Sequence, residues 1–135
     1  MRKRLKVGAV AALGVMLLWA VPAWGHHSFA AEFDSSKPIS VTGVITKLDW
    51  VNPHAFVYLD AKDANGETVR WTFQTLPPGM LRARGVSRDL FGVGQTVTIT
   101  GFGAKDGTRT LGWIKKIQYS DGRVLQVTAE EEPGK

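Results

Sequence analysis

From Ile39 onward the chain alternates apolar and polar side chains in short β-branched and aromatic runs, a period of two that predicts strands. Residues 39–50 predict the first and longest of these, with Ile39 and Val41 inward before Gly43, and Val44, Leu48 and Trp50 inward after it. A glycine at a change of phase predicts a β-bulge that bends a long strand. Asn52-Pro53 predicts a tight turn, after which Ala55, Val57 and Leu59 alternate with His54, Phe56, Tyr58 and Asp60 along a second strand. Asp63-Ala64-Asn65-Gly66 is hairpin-loop chemistry, and Val69, Trp71 and Phe73 alternate with Arg70, Thr72 and Gln74 in a third strand.

Pro77-Pro78 stops that strand, and residues 79–84 predict a short helix with Met80, Leu81 and Ala83 as its apolar positions and Gly85 as its end signal. A further turn is expected over 87–91. Residues 95–102 predict a fourth strand with Val97 and Ile99 inward, 111–119 a fifth, and Asp121-Gly122 opens a final hairpin with a short strand over 123–127. Three strands, a short helix and two more strands is the order of a small five- to six-stranded OB-like Greek-key barrel. The expected class is therefore all-β with one short helix. A long, bulged first strand suits it, because that strand must curl around both halves of a closed barrel. The competing architecture is an open antiparallel sheet or small sandwich with the helix on one side.

The pattern changes ahead of residue 39. Arg2, Lys3, Arg4 and Lys6 precede an apolar run over 7–21, Pro22 ends it, and Ala23-Trp24-Gly25 offers small residues at positions −3 and −1. That is a secretory signal, too short for a membrane span of roughly 20 residues, and it predicts a cleaved segment over 1–25. No cysteine follows the run, which excludes a lipoprotein anchor. Residues 26–38 lack a sustained period and read as an N-terminal arm, partly docked through Phe29 and Phe33. The domain proper is expected over 39–127, with a polar tail over 128–135.

Removing the leader changes the charge. Four of the 17 Lys and Arg lie in it and none of the 12 Asp and Glu, so the remainder carries 13 basic against 12 acidic residues, or +1. A nearly neutral exported domain lacks the electrostatic footprint of a nucleic-acid binder. Without cysteines it must hold together by packing alone. A periplasmic location is expected, with no stable membrane anchor after cleavage.

The chain offers no nucleophile elbow, phosphate loop or paired carboxylates, and nothing argues for an enzyme. Gly101-Phe102-Gly103 ends a strand and opens a loop, so it is no dinucleotide fingerprint. Two of the three histidines stand together at the expected cut. Cleavage after Gly25 would make His26 the terminus, where its amine and Nδ1 chelate one ion; His27 or His54 would add a third nitrogen. Cleavage after Ala23 would instead leave Trp24-Gly25-His26, whose amine, amides and imidazole wrap a square-planar ion. Both cuts point to Cu(II)-class metals. Against this, terminal histidines are commonly solvated, and His54 beside a turn has carbonyls to bond. A different reading places a partner protein or apolar ligand on an aromatic face made by Phe56, Tyr58 and Trp71, although such residues more often belong to a core.

The HHSFAAEFD start at 26–34, Gly43-Val44-Ile45-Thr46-Lys47 with Trp50, the Asn52-Pro53-His54 turn, then Trp71, Pro78, Leu81, Gly85 and Asp121-Gly122-Arg123, resemble a domain-of-unknown-function family, number 6152, of small exported bacterial proteins. The resemblance implies export and cleavage just before the paired histidines, and it implies no biochemical activity. The reading taken forward is a periplasmic binding or accessory module, with copper at His26, His27 and His54, and a metal-free interaction module as the alternative.

Overall fold

The alternation ahead of Asn52-Pro53 forms one continuous strand in the computed structural model, which describes residues 28–128. A five-residue helix, α1 (Ser28–Glu32), runs directly into β1 (Phe33–Asp49). There follow β2 (Phe56–Lys62), β3 (Thr68–Gln74), α2 (Pro78–Ala83), a 3₁₀ turn (Arg88–Phe91), β4 (Thr96–Ala104), β5 (Leu111–Tyr119) and β6 (Val124–Gln126).

β1 serves two neighbours in turn. Its first part pairs antiparallel with β4, from Phe33 opposite Ala104 to Val44 opposite Thr96. Its second part pairs with β2, from Gly43 opposite Ala61 to Asp49 opposite Phe56. The antiparallel pairs β2–β3 and β4–β5 extend both sides. A short parallel pairing, Thr72, Phe73 and Gln74 against Leu111, Gly112 and Trp113, then closes β1-β2-β3-β5-β4 into a ring. This is the all-β, OB-like connectivity expected from the element order, and β6 adds a sixth strand along the rest of β5.

Ile45, Val57, Leu59, Phe73, Leu81, Phe91, Val97, Ile99, Ile114 and Ile117 fill the interior, each fully buried. Along β2 and the residue before it the inward set is the one the alternation predicts: Ala55, Val57 and Leu59 have no exposed surface. α2 closes one end through Pro78 and Leu81. Proline at its first turn is pre-set for helical φ. Gly85 takes a φ of 78° just past its end, and the Val86 N–H returns to the Leu81 carbonyl at 2.9 Å.

Three expectations need correcting. The phase of β1 changes at Thr46, where the register with β2 slips between Ile45 and Lys47, and Gly43 is not the bulge. Ile39, Val41 and Ile45 therefore share the inner phase, and Val44 is 38% exposed. Gly43 is needed for another reason: a Cβ there would run into the Asp60 carbonyl where β1 passes from one partner to the other. The arm, read as irregular over 26–38, is helical over Ser28–Glu32 and already strand from Phe33. Its apolar pattern is sparse because only one edge of β1 is paired there. The described residues include no helix long and apolar enough to cross a membrane, and the apolar run over 7–21 lies outside them.

Candidate functional site

Phe29 and Phe33 lie four residues apart at the junction of α1 and β1, a spacing that puts both rings on one side. Their rings stack 6.0 Å apart, and both meet Trp113, at 5.2 Å and 5.7 Å between centroids. Phe102 closes on Phe29 at 5.9 Å. Phe102, Trp113 and Gln74 are register partners across β4, β5 and β3, so they share one face. Gln74 pairs with Phe56, which alternates with the inward Ala55 and Val57, and that face is therefore the outer one. The arm thus builds a second, smaller apolar cluster on the outside of the ring.

Polar contacts fix the arm as well. The Gln74 amide donates to the Glu32 carboxylate at 3.1 Å. Lys105 holds the end of α1: its N–H donates to the Glu32 carbonyl at 2.8 Å and its ammonium to the Ala30 carbonyl at 3.0 Å. A cation among the last carbonyls of a helix is favourably placed against its dipole.

His54 joins this cluster through Trp113. Its ring meets Trp113 edge-on at 6.4 Å, and its Nδ1 lies 3.0 Å from the Thr75 carbonyl. The carbonyl is held in place because Ala55 and Thr75 continue the β2–β3 ladder, with the Thr75 N–H donating to the Ala55 carbonyl at 3.0 Å. A carbonyl oxygen can only accept, so the neutral imidazole carries its proton on Nδ1 and its lone pair on Nε2. That is the arrangement by which an outer carbonyl orients a metal-binding histidine. The ring is bonded to a carbonyl, as expected of a histidine beside a turn, but the acceptor is Thr75, just past β3, and not a carbonyl of the turn itself.

Of the other predicted metal ligands, His26 and His27 lie outside the described residues. Among the described residues no three His, Cys, Asp or Glu side chains gather as a metal site. His54 therefore offers one nitrogen. The cluster also contains an orphan: Thr75 is fully buried and its hydroxyl has no hydrogen-bond partner among the described residues.

The aromatic face is not assembled as expected. Register puts Trp71 opposite Leu59 and Tyr58 opposite Thr72, so Trp71 lies on the inner face and Phe56 and Tyr58 on the outer. Trp71 stacks on Phe73 at 5.6 Å. Tyr58 donates its hydroxyl to Asp49 at 3.0 Å beneath Lys47, whose ammonium sits 5.1 Å above the ring. Burial, followed by that bond to Asp49, pushes the Tyr58 phenol up, and the Lys47 ammonium bonded to Asp49 holds that carboxyl down.

Sequence reasoning missed Trp113, Gln74 and Glu32 as the parts that bring the arm to His54. Phe29 and Phe33 four apart were the available signal; which strand they docked on was not readable.

A closed ring of five strands with an aromatic arm strapped to its outer face defines a small all-β protein carrying one oriented histidine beside that arm. A family described as "Family of unknown function (DUF6152)" matches residues 14–113, and the chain belongs to it. No curated protein and no solved structure matches the chain.

Proposed function

We propose that the protein is an exported, periplasmic accessory module that binds a Cu(II)-class ion. The ligands are the terminal amine and imidazole of His26, completed by His27 and by Nε2 of His54. The leader pattern over 1–25 supports export, and the nitrogen-only donor set supports a copper-class ion.

The observation that carries the reading is the indole of Trp113, which meets both Phe29 of the arm and His54 edge-on. His26 stands three positions before Phe29, a reach of at most about 10 Å of chain. Phe29 and His54 share that indole, which supports a site that His26 and His27 complete, and the bond from Nδ1 to Thr75 leaves Nε2 as the remaining nitrogen of His54.

The test is Cu(II) titration of the processed protein, with its first residue fixed by mass and its affinity read in chelator competition. One equivalent is expected to bind and to quench Trp113. His54→Ala should weaken binding by at least about tenfold, since losing an outer-shell partner alone costs 10- to 100-fold. One residue added before His26 should abolish tight binding. Retention of full affinity by both variants would refute the site.

A further inference from the structure

We propose that the cap over one end of the ring docks onto an anionic phospholipid surface. The cap is the segment 78–94, comprising α2, the 3₁₀ turn and their connections. Pro78, Leu81, Val86 and Phe91 anchor it by burial. Trp50 packs edge-on against Phe91 at 5.8 Å. The Gly94 N–H donates to the Ile45 carbonyl at 2.7 Å, and the Tyr119 hydroxyl donates to the Leu90 carbonyl. The segment is a fixed platform.

What this platform leaves in solvent is unusual in two ways. Val93 is 56% exposed, Met80 47% and Leu90 39%, and Val51, next to Trp50, is 52% exposed. Single exposed apolar residues are ordinary, but three of these belong to the cap itself and the fourth adjoins Trp50, which packs on the cap's Phe91, while buried neighbours already satisfy the core. Arg82, Arg84 and Arg88 stand among them, all exposed, against Asp89 as the only acid of the segment. Lys47, Arg70 and Arg123 each hold a carboxylate in an ion pair, whereas among the described residues these three arginines hold none.

Separate apolar points bracketed by unpaired guanidinium groups suit a boundary that is apolar below and phosphate-rich above. Shallow insertion of the apolar side chains and bonding of arginine to phosphate act together there. A stable protein interface would need a continuous, shape-matched patch instead. The docking is peripheral and salt-sensitive, and it points the cap at the lipid.

The natural chain has no cysteine, so one introduced thiol can carry an environment-sensitive fluorophore. The protein as cells process it is labelled at Met80→Cys on the cap, or at Asn65→Cys, an exposed site in the β2–β3 hairpin, and mixed with vesicles of phosphatidylcholine with or without phosphatidylglycerol. The expected result is a blue shift at position 80 with the anionic vesicles alone, none at 65, and reversal in high salt. Each of Arg82→Glu, Arg84→Glu and Arg88→Glu should lower partitioning about fivefold or more, at roughly 1 kcal/mol per basic side chain near such a surface. Val93→Asp should weaken it in a chain whose charge array is otherwise kept. No shift at 80, equal shifts at both sites, an equal response to neutral vesicles, or indifference to the arginine changes would each overturn the proposal. Silence with vesicles and a shift on adding periplasmic extract would overturn it too, in favour of a protein partner.

Discussion

Two residues show how closely backbone and side chain are matched in this ring. At Gly43 the β1 backbone sits so near Asp60 that a Cβ would collide with its carbonyl. Because the obstacle is backbone and cannot rotate away, Gly43→Ala should destabilise the fold by about 2 to 3 kcal/mol, the upper range for an overpacked site, read as the urea midpoint at unchanged slope. Thr75 presents the opposite case. Its hydroxyl is buried without a partner among the described residues, and a buried polar group left unsatisfied costs about 1 to 3 kcal/mol. Thr75→Val keeps the shape and the carbonyl that bonds His54, so it should raise stability by about 1 kcal/mol; a fall would mean that the hydroxyl has a partner. Neither effect is readable from the sequence. Gly43 reads there as a bulge, and nothing in the local pattern singles out Thr75.

Most elements were legible because their signals are local. The fifth strand, 111–119, emerges with the expected bounds, and α2 differs from its expected span by one residue at each end, since proline and glycine punctuate it. The arm was less legible, because its two phenylalanines give docking without an address. Phe33 is 2% exposed and supports the outer cluster, so Phe33→Ala should cost about 3 kcal/mol or more, within the range for burying and then deleting a phenyl ring. The half-buried Phe29 should cost less when changed to Ala. Both variants should also loosen the contact of α1 with Gln74 and Lys105, visible as faster amide exchange at Lys105, whose N–H bonds the Glu32 carbonyl.

Across the whole molecule, the charged surface sets the response to pH. Asp60 is held below its ordinary 3.8 by the Arg70 guanidinium, Asp49 by Lys47, Asp121 by Arg123, and Asp34 and Asp106 by hydrogen bonds from Ser36 and Thr108. A carboxyl with a depressed folded value stabilises above its unfolded value and loses that contribution as pH falls through the folded one. The urea midpoint should therefore be flat above about pH 5 and fall below about pH 4, with a shallower fall in Asp60→Asn. At the other extreme, burial raises both Tyr58 and Tyr119 above their ordinary 10.0, and these are the chain's two tyrosines. Their shared stabilisation is complete below pH 10.0 and is lost as pH rises through the folded values. Absorbance titration should show both phenols ionising above 10.0 in the folded chain and at the ordinary value in urea.

The sequence by itself determined the strands, the short helix, the inward set of β2, the leader pattern and the concentration of histidine at one place, all of which follow from the period of the chain or from neighbouring residues. Only the tertiary structure decided what faces what. Read linearly, the arm and His54 stand at opposite ends of the first strand, and the arm would have to run back along its whole length. Closure of the ring through the pairing of β3 with β5 offers the shorter path: Phe33 beside β4, Phe102 and Trp113 beside it, Gln74 next, then Phe56 on β2 with His54 just before it. The same closure sends Trp71 to the interior and separates it from Tyr58. That pairing is parallel, spans three residues and joins strands nearly forty positions apart, and no local pattern encodes it. It is chosen by the burial of the whole interior at once.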